Sequence, residues 1–134
     1  MGIEVQVEDR SWWGKHFGKG FRRKLTLAGG DFENWFIPLF HPLYEKTGKR
    51  IDIYGWEAFS GPELEQIARI LRQARSDVSK GGPKVQINIS ISAPVGTPYH
   101  SEISQELVLG ELDQLNTIIE TALAEKKTVR FVGD

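Results

Sequence analysis

The chain has 134 residues, the size of one domain, with 40% hydrophobic and 26% charged residues and a formal net charge of −1. That composition excludes a mainly disordered chain, and the near-zero charge excludes a surface given over wholly to nucleic acid. There is no cysteine, which removes disulfides, thiolate catalysis and zinc–thiolate sites.

Zero cysteines fit a reducing compartment. No apolar run reaches the roughly 20 residues that span a bilayer, and the start of the chain lacks the pattern of a signal peptide. The expected location is the cytoplasm.

Ile3, Val5 and Val7 alternate with Glu4, Gln6 and Glu8, the pattern of a short strand with one charged face. Residues 10–24 follow, with Trp12, Trp13, Phe17 and Phe21 interleaved with Arg10, Lys15, Lys19, Arg22, Arg23 and Lys24. No acidic residue lies between Asp9 and Asp31. Gly14, Gly18 and Gly20 oppose a stable helix, so this stretch reads as a loop or irregular hairpin leading into a strand near Phe21–Leu27.

Asp31 is the expected N-cap of a helix whose stripe is Phe32, Trp35, Phe36, Leu39, Phe40, Leu43 and Tyr44. Pro38 and Pro42 predict a kinked or two-piece helix ending near Lys46. Residues 50–54 alternate as a strand, and residues 55–58 read as a turn. Ser60 and Glu63 form an S-x-x-E capping box, with Phe59 and Leu64 as a staple and Pro62 in the first turn. Leu64, Ile67, Ala68, Leu71, Ala74 and Val78 are the expected buried stripe of that helix. Arg69, Arg72 and Arg75 project elsewhere, as a solvated face or an added basic one.

Val85, Ile87, Ile89 and Ile91 alternate without a miss with Gln86, Asn88, Ser90 and Ser92. This is the expected central strand, its neutral row facing water, an added peptide or a small ligand. Residues 94–98 read as a loop, and 99–102 as extended. From Ser104, Val108, Leu112, Leu115, Ile119 and Ala122 predict a helix despite Gly110, which costs about 1 kcal/mol relative to alanine. The rival reading makes 103–109 a strand. A final strand is expected at 128–132, parallel to the central one through a right-handed crossover.

The layout implies a single α+β domain over 1–134, with α/β as the alternative: a mixed sheet of about 4–5 strands with about three helices packed on it.

No phosphate loop, dinucleotide fingerprint, zincin motif or nucleophile elbow is present. His16, His41 and His100 share no ligand spacing, so no metal and no cofactor is expected. His41, beside a buried stripe, reads as a hydrogen-bonded structural histidine. Tyr99, His100, Ser101 and Glu102 are neighbours in sequence, which rarely brings a nucleophile and a base to hydrogen-bonding distance. Asp52, Glu57 and Glu63 are the nearest approach to clustered carboxylates, and Glu63 already has a capping role. No catalytic residue is assigned.

In size and layout, and in no motif, the chain resembles the small cysteine-free α+β proteins of bacteria, toxin-neutralising immunity proteins among them. The resemblance implies a protein partner. Residues 10–24 lead to the same expectation, because aromatic and arginine side chains are what interface hot spots use. The expected function is a non-enzymatic cytosolic interaction domain with Trp12, Trp13, Lys15, Phe17, Lys19, Phe21, Arg22, Arg23 and Trp56 at the partner surface. Covering one end of the core is the plainer role for the same aromatics. The alternatives are nucleic-acid binding through 10–24 and an unrecognised enzyme or small-ligand binder near Gln86–Ser92 and His100. Four tryptophans also leave a homodimer open.

Overall fold

A computed structural model describes residues 2–9, 20–89 and 99–133. In chain order the elements are β1 (Glu4–Glu8), β2 (Phe21–Thr26), helix pieces α1 (Asp31–Phe36) and α2 (His41–Thr47) joined by a 3-10 turn (Ile37–Phe40), β3 (Trp56–Phe59), α3 (Pro62–Lys80), β4 (Lys84–Ile89), β5 (Tyr99–Ser104), α4 (Gln105–Ala124) and β6 (Val129–Val132). Four strands form one sheet in the order β2-β1-β6-β3, and β4 pairs with β5 in a separate two-stranded sheet. Every pairing is antiparallel. The class is α+β: three helical segments pack on a four-stranded sheet with a small hairpin beside it.

Period-two alternation sets the inner face of the large sheet. Val5 and Val7, Val129 and Phe131, and Phe59 are buried, and cross-strand partners point to the same side. The helices meet that face with stripes at helical spacing. These are Phe32, Phe36, Phe40 and Leu43 from the broken helix, Leu64, Ile67 and Leu71 from α3, and Val108, Leu112, Leu115 and Ile119 from α4, all buried. Phe36 stacks on Phe32 at 5.4 Å and meets Phe40 at 4.8 Å. The helical period therefore runs through Pro38, which enters as the second residue of the 3-10 turn, where its missing donor costs little. Arg72 and Arg75 are not an open basic face. They pair across to Glu120 and Asp113 of α4 at 2.9 and 2.6 Å.

Both expected N-caps shift by one residue, for one reason. Gly30 and Gly61 occupy the cap positions with φ of 64° and 53°, a backbone that glycine takes without strain. Asp31 becomes the first helical residue, and Ser60 sits one residue outside the helix with no side-chain cap bond. Glu63 turns instead to Lys49, whose Nζ lies 2.9 Å from both Glu63 Oε1 and the Ala58 carbonyl. At α4 the polar cap does form: Ser104 Oγ accepts from the Leu107 N–H, and the longer helix is the one observed.

Two strand assignments move. Residues 50–54, expected as a strand, form none, while Trp56–Phe59, overlapping the turn expected at 55–58, pairs with β6. Ile51 is buried without ladder bonds; its alternation with polar neighbours reports a side-chain direction, not a partner strand. A Cβ on Gly133 would overlap the backbone of Asp52 and Ile53, and the Gly133 N–H donates to the Gly55 carbonyl at 2.7 Å. This close approach seats 52–55 against the end of β6. The second correction concerns 85–92. Its described part, β4, is not central, and it belongs to a different sheet from β6, so no parallel crossover joins them. The β4–β5 hairpin packs on α1 instead. Residues 90–92 and the 94–98 loop lie outside the described residues.

The caps give a test. Ser104→Ala is expected to cost about 1 kcal/mol, and Ser60→Ala less than about 0.5 kcal/mol, read as midpoint shifts in urea unfolding. Equal costs at the two positions would contradict the caps described.

Candidate interaction surface

The outer face of the four-stranded sheet follows from the same alternation. Phe21 and Arg23 of β2, Glu4, Gln6 and Glu8 of β1, Arg130 and Val132 of β6, and Trp56 and Ala58 of β3 share it by register. None of them is buried. The bulge at Lys24, where Val5 faces Leu25 but Gln6 faces Arg23, keeps Phe21 on this side.

Arg130 organises the face. Its guanidinium carbon lies 4.2 Å from the Phe21 ring centre and 5.7 Å from that of Trp56. Those rings come from strands at opposite edges of the sheet, so the arginine spans it diagonally. Its Nε donates to Gln6 Oε1 at 2.8 Å and its Nη2 donates to the same oxygen. Gln6 in turn donates to Glu4 Oε1 at 3.2 Å, and Arg23 stands 4.0 Å from that carboxylate. The result is a continuous band from Trp56 through Arg130 and Gln6 to Arg23. Trp56 is 64% exposed and Tyr54, just before it, 81%. Exposed aromatics beside a fixed guanidinium are the composition of interface anchors.

Of the residues singled out in the sequence, Phe21, Arg23 and Trp56 come together on this face. Arg22, one position off, turns to the inner side at the sheet edge and pairs with Asp9 at 3.3 Å. Trp12, Trp13, Lys15, Phe17 and Lys19 lie outside the described residues. Arg130 and Gln6 were not anticipated. The available signal was a cation on the polar side of Val129-Arg130-Phe131-Val132, but its reach to Phe21 depends on β6 lying beside β1.

The catalytic alternatives gain little. His41, beside the buried stripe, is exposed and bonded to Glu45 at 2.7 Å. Asp52 caps the Ile53 N–H at 2.6 Å and Glu63 holds Lys49. Among the described residues no group of three histidine, aspartate or glutamate side chains is placed to hold a metal ion. A cleft of about 370 Å³ between α4 and the end of the β1–β2 hairpin has an apolar floor of Val7, Ile118 and Ala122. On its charged rim Arg22 pairs with Asp9 and Lys127 with Glu125.

Glu33 and Glu111 carry perturbed carboxyls, and neither of them is on the open face. Burial pushes the Glu33 carboxyl above its ordinary range, and its Oε1 has no hydrogen-bond partner. Burial likewise raises Glu111, against a backbone bond from Ala28 that lowers it. Desolvation of the charged form is the larger cause at both, which makes these structural costs.

The chain matches no protein-family model, no curated protein sequence and no solved structure. No helix is long and apolar enough to cross a membrane, among the described residues.

A raised folded-state pKa means that Glu33 favours folding most below the pKa of unfolded glutamate, and that this contribution is lost as pH rises through the folded value. Glu33→Gln is therefore expected to raise stability at pH 7 by about 1 kcal/mol and to flatten the fall in stability from acid to neutral pH, followed by thermal melts. On the open face, Trp56→Ala is expected to cost under about 1 kcal/mol, because the ring is mostly in water. Arg130→Ala should cost about 1–2 kcal/mol through its lost bonds and ring contacts, measured by urea unfolding.

Proposed function

We propose that the protein is a non-enzymatic interaction domain that binds an acidic partner protein through the open face of its four-stranded sheet. The observation that carries this reading is Arg130 held between Phe21 and Trp56. It is a charged anchor flanked by aromatic surface, fixed in place before any partner arrives, so less side-chain freedom is lost on binding. The run Arg22-Arg23-Lys24 on the adjoining edge supplies a positive margin that would steer an acidic partner.

Protein is preferred to nucleic acid on the charge balance. Arg23 and Arg130 share the face with Glu4 and Glu8, and both arginines already have acceptors in Glu4 and Gln6. A phosphate backbone gains by neutralising unpaired cations, and a face with matched charges offers little of that gain. The immunity-like build suggested by size and layout agrees with a protein partner.

The experiment is capture of a partner on immobilised protein, with and without nuclease, using wild type, Trp56→Ala and Arg130→Ala chains with intact far-UV spectra. A nuclease-resistant protein whose affinity falls at least tenfold in both variants is expected. Equal capture by both variants would remove the open face as the interface, and capture that vanishes with nuclease would make nucleic acid the ligand.

A further inference from the structure

β4 has a partner on one side. Its ladder with β5 uses one edge, and along the other edge no described residue bonds to it. The Pro83 carbonyl accepts from the Gln105 N–H at 3.0 Å, which marks Pro83 and Gln105 as a hydrogen-bonded pair. Such pairs alternate along an antiparallel ladder. Backbone groups of Val85 and Ile87 therefore turn toward β5, and those of Lys84, Gln86 and Asn88 turn outward.

The edges of the large sheet are guarded. β2 carries Arg22, Arg23 and Lys24 and a bulge, and β3 is four residues long. Charge, bulges and shortness are the usual ways to discourage an added strand. β4 has none of them between Val85 and Ile89: the residues Val-Gln-Ile-Asn-Ile are neutral, without proline or glycine, and the register runs unbroken. Beyond its open edge lies a groove of about 330 Å³ lined by Trp35, Leu39, Ala74, Val78 and Val85, with Asp77 and Lys84 also on its wall. Trp35, Leu39 and Val85 are partly exposed in it. A strand laid along β4 would set alternate side chains over this groove.

We propose that the strand is β4 of a second copy of this chain, paired antiparallel about a two-fold axis to give a four-stranded sheet with the two β5 strands outermost. The charge pattern selects this occupant. A strand paired with its own copy meets its own sequence reversed. A register that matches the outward groups puts Gln86 opposite Asn88 and Ile87 opposite itself, so every pair between Val85 and Ile89 is neutral. A charged partner strand would find no counter-charge between Val85 and Ile89. A two-fold normal to the sheet also keeps apolar faces on the same side, so the partner's apolar residues cover the groove. A lone two-stranded hairpin is marginal, and the pairing makes it four-stranded. This surface belongs to the small sheet and is separate from the open face of the large one.

The test is sedimentation equilibrium of the full chain over roughly 1–500 μM, with Gln86→Pro, Gln86→Lys and Trp56→Ala. Gln86→Pro removes an outward N–H that the ladder to β5 does not use. Gln86→Lys keeps that N–H, and serves if the proline variant fails to fold. It places a cation on the edge, beside Glu102, to which Gln86 Nε2 donates at 3.0 Å. Wild type is expected to be a dimer, at least tenfold weaker in either Gln86 variant and unchanged in Trp56→Ala. A wild-type monomer at every concentration would overturn the proposal. So would a dimer equally tight in both Gln86 variants, or one lost in Trp56→Ala. None of these results bears on capture of a partner by monomeric protein, which is read separately.

Discussion

The pairing of β1 with β6 is the constraint on which the rest depends. It joins residues about 120 apart in the chain, as in the bond from the Thr128 N–H to Glu8 Oε1 at 3.1 Å. Closing so long a loop costs entropy before any contact returns it. The compensation is that Val5, Val7, Val129 and Phe131 reach full or nearly full burial together, each worth roughly 1.5–3 kcal/mol relative to exposure. With β6 seated, β3 gains a neighbour and Gly133 can close on 52–55. Without it, β1 and β2 would be a lone hairpin. A centre built from non-local strands predicts slower folding than the helical content suggests.

The same pairing creates the open face. Arg130 can reach Phe21 because one strand, β1, separates them, and it can reach Trp56 because β3 is the next strand on the other side. Its role is thus divided between packing and readiness to bind. The two bonds to Gln6 fix the head group, and the rings flank it without burying it. Removing the arginine would loosen both rings at once, so losses of binding and of local order are coupled at this position. At Trp56 they separate, because little of the ring's surface is spent on the fold.

The helices were legible because their signal is redundant: stripes of five or six residues over 19 or 20 positions survive a single glycine, as at Gly110 in α4. The strands were less so. Alternation specifies which side chains turn inward, and Ile51 shows that an inward side chain needs no ladder. Trp56-Glu57-Ala58-Phe59 has weak alternation but a long-range partner, and the partner decides. The caps failed at the level of one backbone angle, since Gly30 and Gly61 adopt positive φ and take the cap position from the better side-chain acceptor beside them. Of the surface, aromatic type was readable at Phe21 and Trp56. That they share a face, and that Arg130 joins them, depends on strand order and on the bulge at Lys24, and neither leaves a local mark in the sequence.

The two sheets meet through the broken helix. α1 packs on β4 and β5, while Phe32, Phe36 and Phe40 enter the same buried cluster as the large sheet's inner face. The hairpin is therefore tied to the core by its inner residues, such as Ile87 and Ile103, and shows its neutral edge to the outside. The large sheet places charge and aromatic rings on its outward face and cations on its β2 edge. Fold stability is common to both surfaces, because they share one core. Specificity is not, because the outer side chains of one sheet and the free backbone of the other recognise different things. A charged aromatic face distinguishes partners by side chains, whereas a neutral edge distinguishes them by register. Substitutions that leave the cluster intact should thus act on one surface at a time.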